Sequence, residues 1–258
     1  MPPDIHDTAI VDPRARLADT VSIGPYSIIG GDVEIEEGCS IGSSVRIEGR
    51  TRFGKNNKVF HGAAIGSIPQ DLKYKGADSL LEIGDDNVFR EFVTINTATD
   101  EGESTLIGSG NLLMAYVHVA HNCVIGDNVI LANSVNLAGH VTVEDYAIVG
   151  GVVPVHQFVT IGSHSFIGGG SRIPKDIPPY VKVAGNPPRV GGINSVGLRR
   201  RGFTNEQLSR IKTAYRYIYR SGLNVAQAIE KIESELSDSP EVKTLVEFIR
   251  SSKRGITK

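Results

Sequence analysis

The chain has 258 residues, 40% of them hydrophobic, enough to bury a core in one large domain with a small appendage, which excludes disorder along the whole chain. Its charges nearly cancel, yet residues 1–186 hold 13 basic and 22 acidic residues and residues 187–258 hold 14 and 7, an acidic body with a basic tail. The acidic body excludes a domain-wide nucleic-acid footprint, and no apolar run of about 18 residues is present to form a transmembrane segment.

From Ile5 onward every sixth residue is large and apolar: Val11, Leu17, Ile23, Ile29, Ile35, Ile41, Ile47, Phe53, Val59 and Ile65. The count continues to Ile173, and of 29 positions only Asp71, Ala77 and Glu101 fail. A glycine often follows, as at Gly24, Gly42, Gly108 and Gly126, which predicts a corner whose backbone a side chain would strain. The residue two before is mostly small or β-branched, as at Val21, Cys39, Val45, Ala63, Cys123 and Val141. A period of six cannot keep apolar groups on one face of a helix turning at 3.6 residues. Two inward positions and a corner per hexad instead describe one side of a prism, and stacked coils then satisfy each other's backbone groups, as in a parallel β-helix. Cys39 and Cys123 both fall on inward positions, which predicts inert core thiols. With no export segment, they point to a soluble protein of a reducing compartment.

Two interruptions keep the register and predict loops at residues 66–80 and 97–105, thrown out from the solenoid where binding residues gather. The first carries Gln70, Asp71, Leu72, Lys73 and Tyr74. After Ile173, Pro174, Pro178, Pro179, Pro187 and Pro188 predict an extended connector, dividing a β-helix over 1–186 from a helical domain over 187–258. Thr204 and Gln207 form a capping-box pattern for one helix, ended by Gly222. A second helix is expected around Val225 to Leu236, and a third from Pro240, capped by Ser239.

Val119, Leu137 and Val155 lie 18 residues apart and stack in consecutive coils, which predicts that His121, His140 and His156 form a column along one edge with His118 beside it. Surface decoration, metal binding and general-base catalysis all remain open for such a column. Against metal, ligand nitrogens must converge to about 2 Å, whereas three coils span roughly 10 Å, and no carboxylate stands near enough in sequence to orient the rings. A histidine base suits chemistry near neutral pH.

The segments Gln70-Asp71-Leu72-Lys73-Tyr74, Gly110 to Met114, His118 to Cys123, Leu137 to Val141, Val155 to Phe158 and Gly197 to Phe203, with the [LIV]-G-x4 hexads, resemble the UDP-N-acetylglucosamine O-acyltransferase family, cytoplasmic hexapeptide-repeat enzymes that begin lipid A synthesis. The resemblance covers essentially the whole chain. It implies a mainly β fold, a left-handed parallel β-helix followed by a small α-helical domain, assembled as a homotrimer with sites between neighbouring prisms. It implies transfer of a 3-hydroxyacyl chain from acyl carrier protein to the sugar 3-position, without a cofactor beyond the carrier's 4'-phosphopantetheine and without metal. By position, His121 is the base and the Gly139 N–H the oxyanion donor. Gln70, Asp71, Lys73, His118, His140, His156 and Gln157 hold sugar and diphosphate, and Asn194, Arg200 and Arg201 the uridine nucleotide. Gly169 sets acyl length at the end of a groove, and Arg210, Lys212, Arg216 and Arg220 offer the acidic carrier a basic surface.

Three positions depart from the family pattern. Asn122 replaces an aspartate after the catalytic histidine, so it can accept a ring N–H but brings no charge. Val196 replaces a glutamate that contacts uridine, and Asn96 replaces a histidine, which leaves open a 3-amino acceptor. The related UDP-sugar N-acyltransferases carry an extra amino-terminal domain, for which a register starting at Ile5 leaves no room. A metalloenzyme similar to γ-class carbonic anhydrase and a non-catalytic binding prism are the remaining alternatives.

Overall fold

The computed structural model of the chain describes residues 2–258. Each regular hexad forms a two-residue strand and a four-residue corner, as at Ser22–Ile23 followed by Gly24 to Ser27. Three hexads close one coil of a prism. Ile5 pairs with Ile23, Ile23 with Ile41, and Ile41 with Val59, all in parallel register. The strands collect into a first, second and third face of eleven, eight and eight strands. Coil-to-coil hydrogen bonds run up every face, for example from the Gly24 N–H to the Ile41 carbonyl at 2.8 Å and from the Gly42 N–H to that of Val59 at 2.7 Å. Ile23, Ile29, Ile35, Ile41, Ile47 and Phe53 are no more than 2% exposed. Burying each such side chain contributes about 1.5–3 kcal/mol.

The corner places its backbone demand elsewhere than the glycine pattern suggests. Left-handed φ falls three residues after the inward apolar residue, at Tyr26, Ser44, Asn122, His140 and Phe158, with values between 55° and 63°. At Gly24 the reason for glycine is close approach, because a Cβ would stand 2.7 Å from the Gly42 carbonyl oxygen.

Cys39 and Cys123 sit in the core as expected, their thiols donating to the Gly54 and Ala138 carbonyls at 3.1 and 3.2 Å. Burial pushes the Cys123 thiol up to about 12. The corner of Cys39, which leads into the first face, also holds a buried amide ladder that an apolar register does not reveal. Asn57 Oδ1 accepts the Asn87 N–H, Asn87 Oδ1 accepts the Asn111 N–H, and Asn111 Oδ1 accepts the Val129 N–H. Asn87 Nδ2 donates to the Gly108 carbonyl.

The insertions are slightly shorter than expected, spanning 68–79 and 97–103. Gly66, Ser67 and Leu80, and then Ser104 and Thr105, belong to the strands Ala64–Ser67, Leu80–Ile83 and Ser104–Ile107. Both loops leave from the corner between the second and third faces, where Ile65 pairs with Ile95 across thirty residues and Ile95 with Val119 across twenty-four.

The division expected at residue 186 falls inside a hairpin. Val181–Ala184 joins the first face and pairs antiparallel with Arg189–Ile193, so the proline-rich connector is partly strand. Helices α1 (Ser195–Arg200), α2 (Asn205–Arg220), α3 (Val225–Leu236) and α4 (Pro240–Ser251) follow. Thr204 and Gln207 make the expected capping box, and Asn224 and Gln227 make a second. Ser239 precedes α4 without a side-chain capping bond, a correction to its expected role. Helix α1 has no counterpart among the elements expected from the sequence. Leu198, Leu208, Ile211, Leu245 and Ile249 form the helical core. The end of the chain then returns to the β-helix, where the Asp176 N–H donates to the Gly255 carbonyl and the Thr257 N–H to that of Asp176. On the basic tail, Arg210 is engaged by Glu206 and Glu241.

Replacing Asn87 by Ala leaves the buried Asn111 N–H and Gly108 carbonyl unpaired. The expected loss is about 3 kcal/mol of unfolding free energy in denaturant titration, against under about 1 kcal/mol for an exposed corner residue such as Asp86.

Candidate active site

The second and third faces meet at a corner where the register fixes which side chains share a level. Val119 pairs with Leu137 and Leu137 with Val155, so residue 121 stacks on 139 and 157, and residue 122 on 140 and 158. His121, His140 and His156 therefore occupy three different corner positions. The three histidines lie along one edge, staggered around the corner. His121 and His140 meet edge to face at 5.2 Å between ring centroids, and His140 stacks on Phe158 at 4.6 Å. His156 is exposed, its Nδ1 bonded to the Gln157 carbonyl. Among the described residues no group of three or more His, Cys, Asp and Glu is arranged to hold a metal ion.

Glycine at 139 has a specific cause. A Cβ there would stand 2.5 Å from His121 Cε1 and 2.6 Å from its Nε2, so only glycine lets the imidazole lie over the next coil. The Gly139 N–H finds no acceptor among the described residues.

The tautomer of His121 follows from groups whose roles are unambiguous. Asn122 Oδ1 accepts the Thr99 backbone N–H at 3.1 Å, which identifies it as oxygen, while Asn122 Nδ2 donates to the Glu103 carboxylate. That oxygen lies 2.8 Å from His121 Nδ1, so Nδ1 carries the proton and Nε2 presents a free lone pair. Asp71 Oδ2 lies 3.7 Å from Nε2, placed by the first inserted loop. Asp71 also accepts the Lys73 N–H, which turns the loop so that Gln70 and Lys73 are exposed beside it. Burial lowers the pKa of both His118 and His140, with His121 adding to the effect, which favours their neutral forms. His118 Nδ1 is held at 2.8 Å by Thr94 Oγ1.

Asn96 is 3% exposed and donates to the Ser67 and Ile68 carbonyls, so it pins the root of the first loop. Glu103 and Thr99 are not singled out by sequence reasoning. They lie in or beside the second insertion, and only the fold brings them to Asn122.

A second cluster covers the corner between the third and first faces. Tyr146, His164 and Tyr180 stack there at centroid separations of 4.9 and 5.9 Å, with Phe203 packed edge-on against His164. The Arg201 guanidinium lies 4.9 Å over the Tyr146 ring, and its Nη1 is buried without a partner among the described residues. Arg200 and Val196 are exposed nearby. Asn194 is buried, caps α1 through Gly197 and donates to the His164 carbonyl, so both ends of its amide are engaged within the chain. Gly169 lies on the remaining corner, where a Cβ would stand 3.1 Å from the Gly151 carbonyl oxygen, a tight contact with the backbone of the coil below.

Sequence and structure comparisons agree with this architecture. The family described as Udp N-acetylglucosamine O-acyltransferase, Domain 2, matches residues 176–257, and bacterial transferase hexapeptide repeats match 14–49 and 104–139. An acyl-[acyl-carrier-protein]–UDP-N-acetylglucosamine O-acyltransferase of Saccharophagus degradans is 50% identical over 98% of this chain and 99% of its own, and one of Thermodesulfovibrio yellowstonii is 46% identical over 98% of each. The structure of the Acinetobacter baumannii enzyme superposes with a TM-score of 0.94 at 46% identity, covering 98% of this chain and 99% of that one. The fold is thus that of the left-handed β-helical hexapeptide acyltransferases. Within that class, the chain belongs to the UDP-N-acetylglucosamine O-acyltransferase family.

Burial, followed by the nearby Arg201 charge, pushes the His164 pKa down to about 4. An unfolded histidine titrates near 6.5, so between about pH 6.5 and pH 4 the unfolded chain binds a proton that the folded one refuses. Stability is therefore expected to fall as pH drops through that window. His164→Phe keeps the ring stack and should flatten the dependence of melting temperature on pH between about 7 and 4.

Proposed function

We propose that the protein transfers an acyl chain from acyl carrier protein to the 3-hydroxyl of UDP-N-acetylglucosamine, the first step of lipid A biosynthesis. The observation that carries the site assignment is the free Nε2 lone pair of His121, fixed by Asn122 and lying over Gly139. Nε2 takes the proton of the sugar hydroxyl as its oxygen attacks the thioester carbonyl. The Gly139 N–H receives the oxyanion of the tetrahedral intermediate. Its collapse breaks the C–S bond, and the departing pantetheine thiolate takes the proton back from the imidazolium. A histidine base contributes roughly 10² to 10⁴ in rate and one oxyanion donor about 3 to 4 kcal/mol. Asp71, 3.7 Å from Nε2, favours the imidazolium that forms between the two proton transfers.

Gln70, Lys73, His118, His140, His156 and Gln157 lie around this corner or on its inserted loop, suited to the sugar and diphosphate. Arg200 and Arg201 sit on a different corner, separated from His121 within one chain by the whole third face. That separation supports a homotrimer in which one chain supplies His121 and its neighbour the arginines. No cofactor is needed beyond the carrier's 4'-phosphopantetheine, and a cytoplasmic location suits both substrates. Among the described residues no helix is long and apolar enough to cross a membrane.

His121→Ala should lose roughly 10² to 10⁴ in kcat/KM as the base is removed, and Arg200→Ala roughly ten- to a hundredfold as a charged contact to the nucleotide is lost. Co-refolded at equal amounts, about three quarters of trimers are mixed and each holds one intact site of three, so about a quarter of the activity should return. Mixed trimers that stay inactive, with mixing verified by mass, overturn the shared site.

By its place in the family pattern, Gly169 marks the end of the groove that takes the acyl chain. Gly169→Met should shorten the preferred donor, each excluded methylene costing about 0.8 kcal/mol. An unchanged profile across donors of different length places the end of the groove elsewhere.

A further inference from the structure

Asn122 brings no charge to His121, yet a charge stands one residue further out. Asn122 Nδ2 donates to Glu103 Oε2, while Asn122 Oδ1 receives the Thr99 N–H and the His121 Nδ1–H. The amide has its two ends committed to unlike partners. Rotated by half a turn, it would turn its NH2 toward the Thr99 N–H and its oxygen toward a carboxylate, two repulsive contacts in place of two bonds. Glu103 belongs to the second inserted loop, just before the strand Ser104–Ile107, so it is delivered by the fold and is not a neighbour in sequence. Thr105 Oγ1, two residues on, accepts the Asn122 N–H at 2.8 Å and fixes the backbone of Asn122 in its left-handed conformation.

We propose that Glu103 is a positioning residue for the acyl transfer, holding the Asn122 amide in the one orientation that keeps the His121 proton on Nδ1. The inference rests on His121 as the base. It makes the Glu103 carboxylate and the Asn122 amide together the counterpart of a single aspartate, with the charge moved outward by the length of one amide. Polarisation along the chain favours the imidazolium formed when Nε2 takes the sugar proton. A consequence runs against the simple expectation that an aspartate at 122 improves the enzyme. Asn122→Asp would set two carboxylates at hydrogen-bonding distance, where they repel or share a proton.

Four variants and two readouts decide the matter: Glu103→Ala, Glu103→Gln, Asn122→Asp and the double variant Asn122→Asp with Glu103→Gln. Steady-state kinetics gives kcat and the KM for UDP-N-acetylglucosamine, and imidazole nitrogen NMR of the trimeric enzyme gives the His121 tautomer. Glu103→Ala should lower kcat about tenfold with KM unchanged and raise the fraction of Nε2–H tautomer. Glu103→Gln, which can still accept from Asn122, should lose less. Asn122→Asp should lose about tenfold, and the double variant should recover most of that loss, because the amide introduced at position 103 can donate to the carboxylate introduced at position 122. Full kcat and an unchanged tautomer in Glu103→Ala overturn the proposal, as does a double variant no better than Asn122→Asp. Activity retained by His121→Ala overturns the base reading itself, whereas an inactive His121→Ala beside a fully active Glu103→Ala overturns only the positioning role.

Discussion

The structure depends on one constraint: every coil, 18 residues long where no loop is inserted, must return to the same phase, because the backbone groups of one coil are satisfied by the next. Ile23 under Ile41 and Ile41 under Val59 are its visible sign. A slip of one residue would turn every inward side chain outward and break the hydrogen bonds of three faces at once. The close approach at Gly24 and the amide ladder from Asn57 to Val129 both hold that phase at the corners. The corner that carries His121 uses the same rule, since its imidazole needs a glycine 18 residues later.

The prism is legible in the sequence because its period is short and repeated many times. Even the inserted loops do not hide it, since pairings across thirty and twenty-four residues are multiples of six and the count passes through them in phase. A loop of another length would break the count at Ile65. Phase alone places Cys39 and Cys123 correctly. It does not explain the corner glycines. Their pattern suggests a demand on φ where the cause is proximity, because a sequence does not show which atom of the next coil stands opposite.

At the site, phase puts His121, His140 and His156 on one edge, staggered because they stand two, three and one residues past their strands, whereas Gly139 is singled out only by the family resemblance. Glu103 and Thr99 are invisible for a different reason. They reach Asn122 through loop conformation, and no periodicity records where a loop folds back. Asn194, expected to hold nucleotide, has its amide engaged in capping α1 and bonding the His164 carbonyl, contacts that a sequence cannot distinguish from ligand recognition.

Most contacts of the β-helix link residues one coil apart, so the solenoid can grow by adding coils one at a time with little loop entropy to overcome. The clasp of Asp176 with Gly255 and Thr257 is of another kind, since it joins positions about eighty residues apart and needs α1 to α4 already in place. It ties the last residues of the chain to the final coil, whose upper backbone groups have no further coil to meet. The tail thereby works as a stopper on a growing stack. An open parallel edge invites another chain to continue it, and here Gly255 to Thr257 occupy that place beside Asp176.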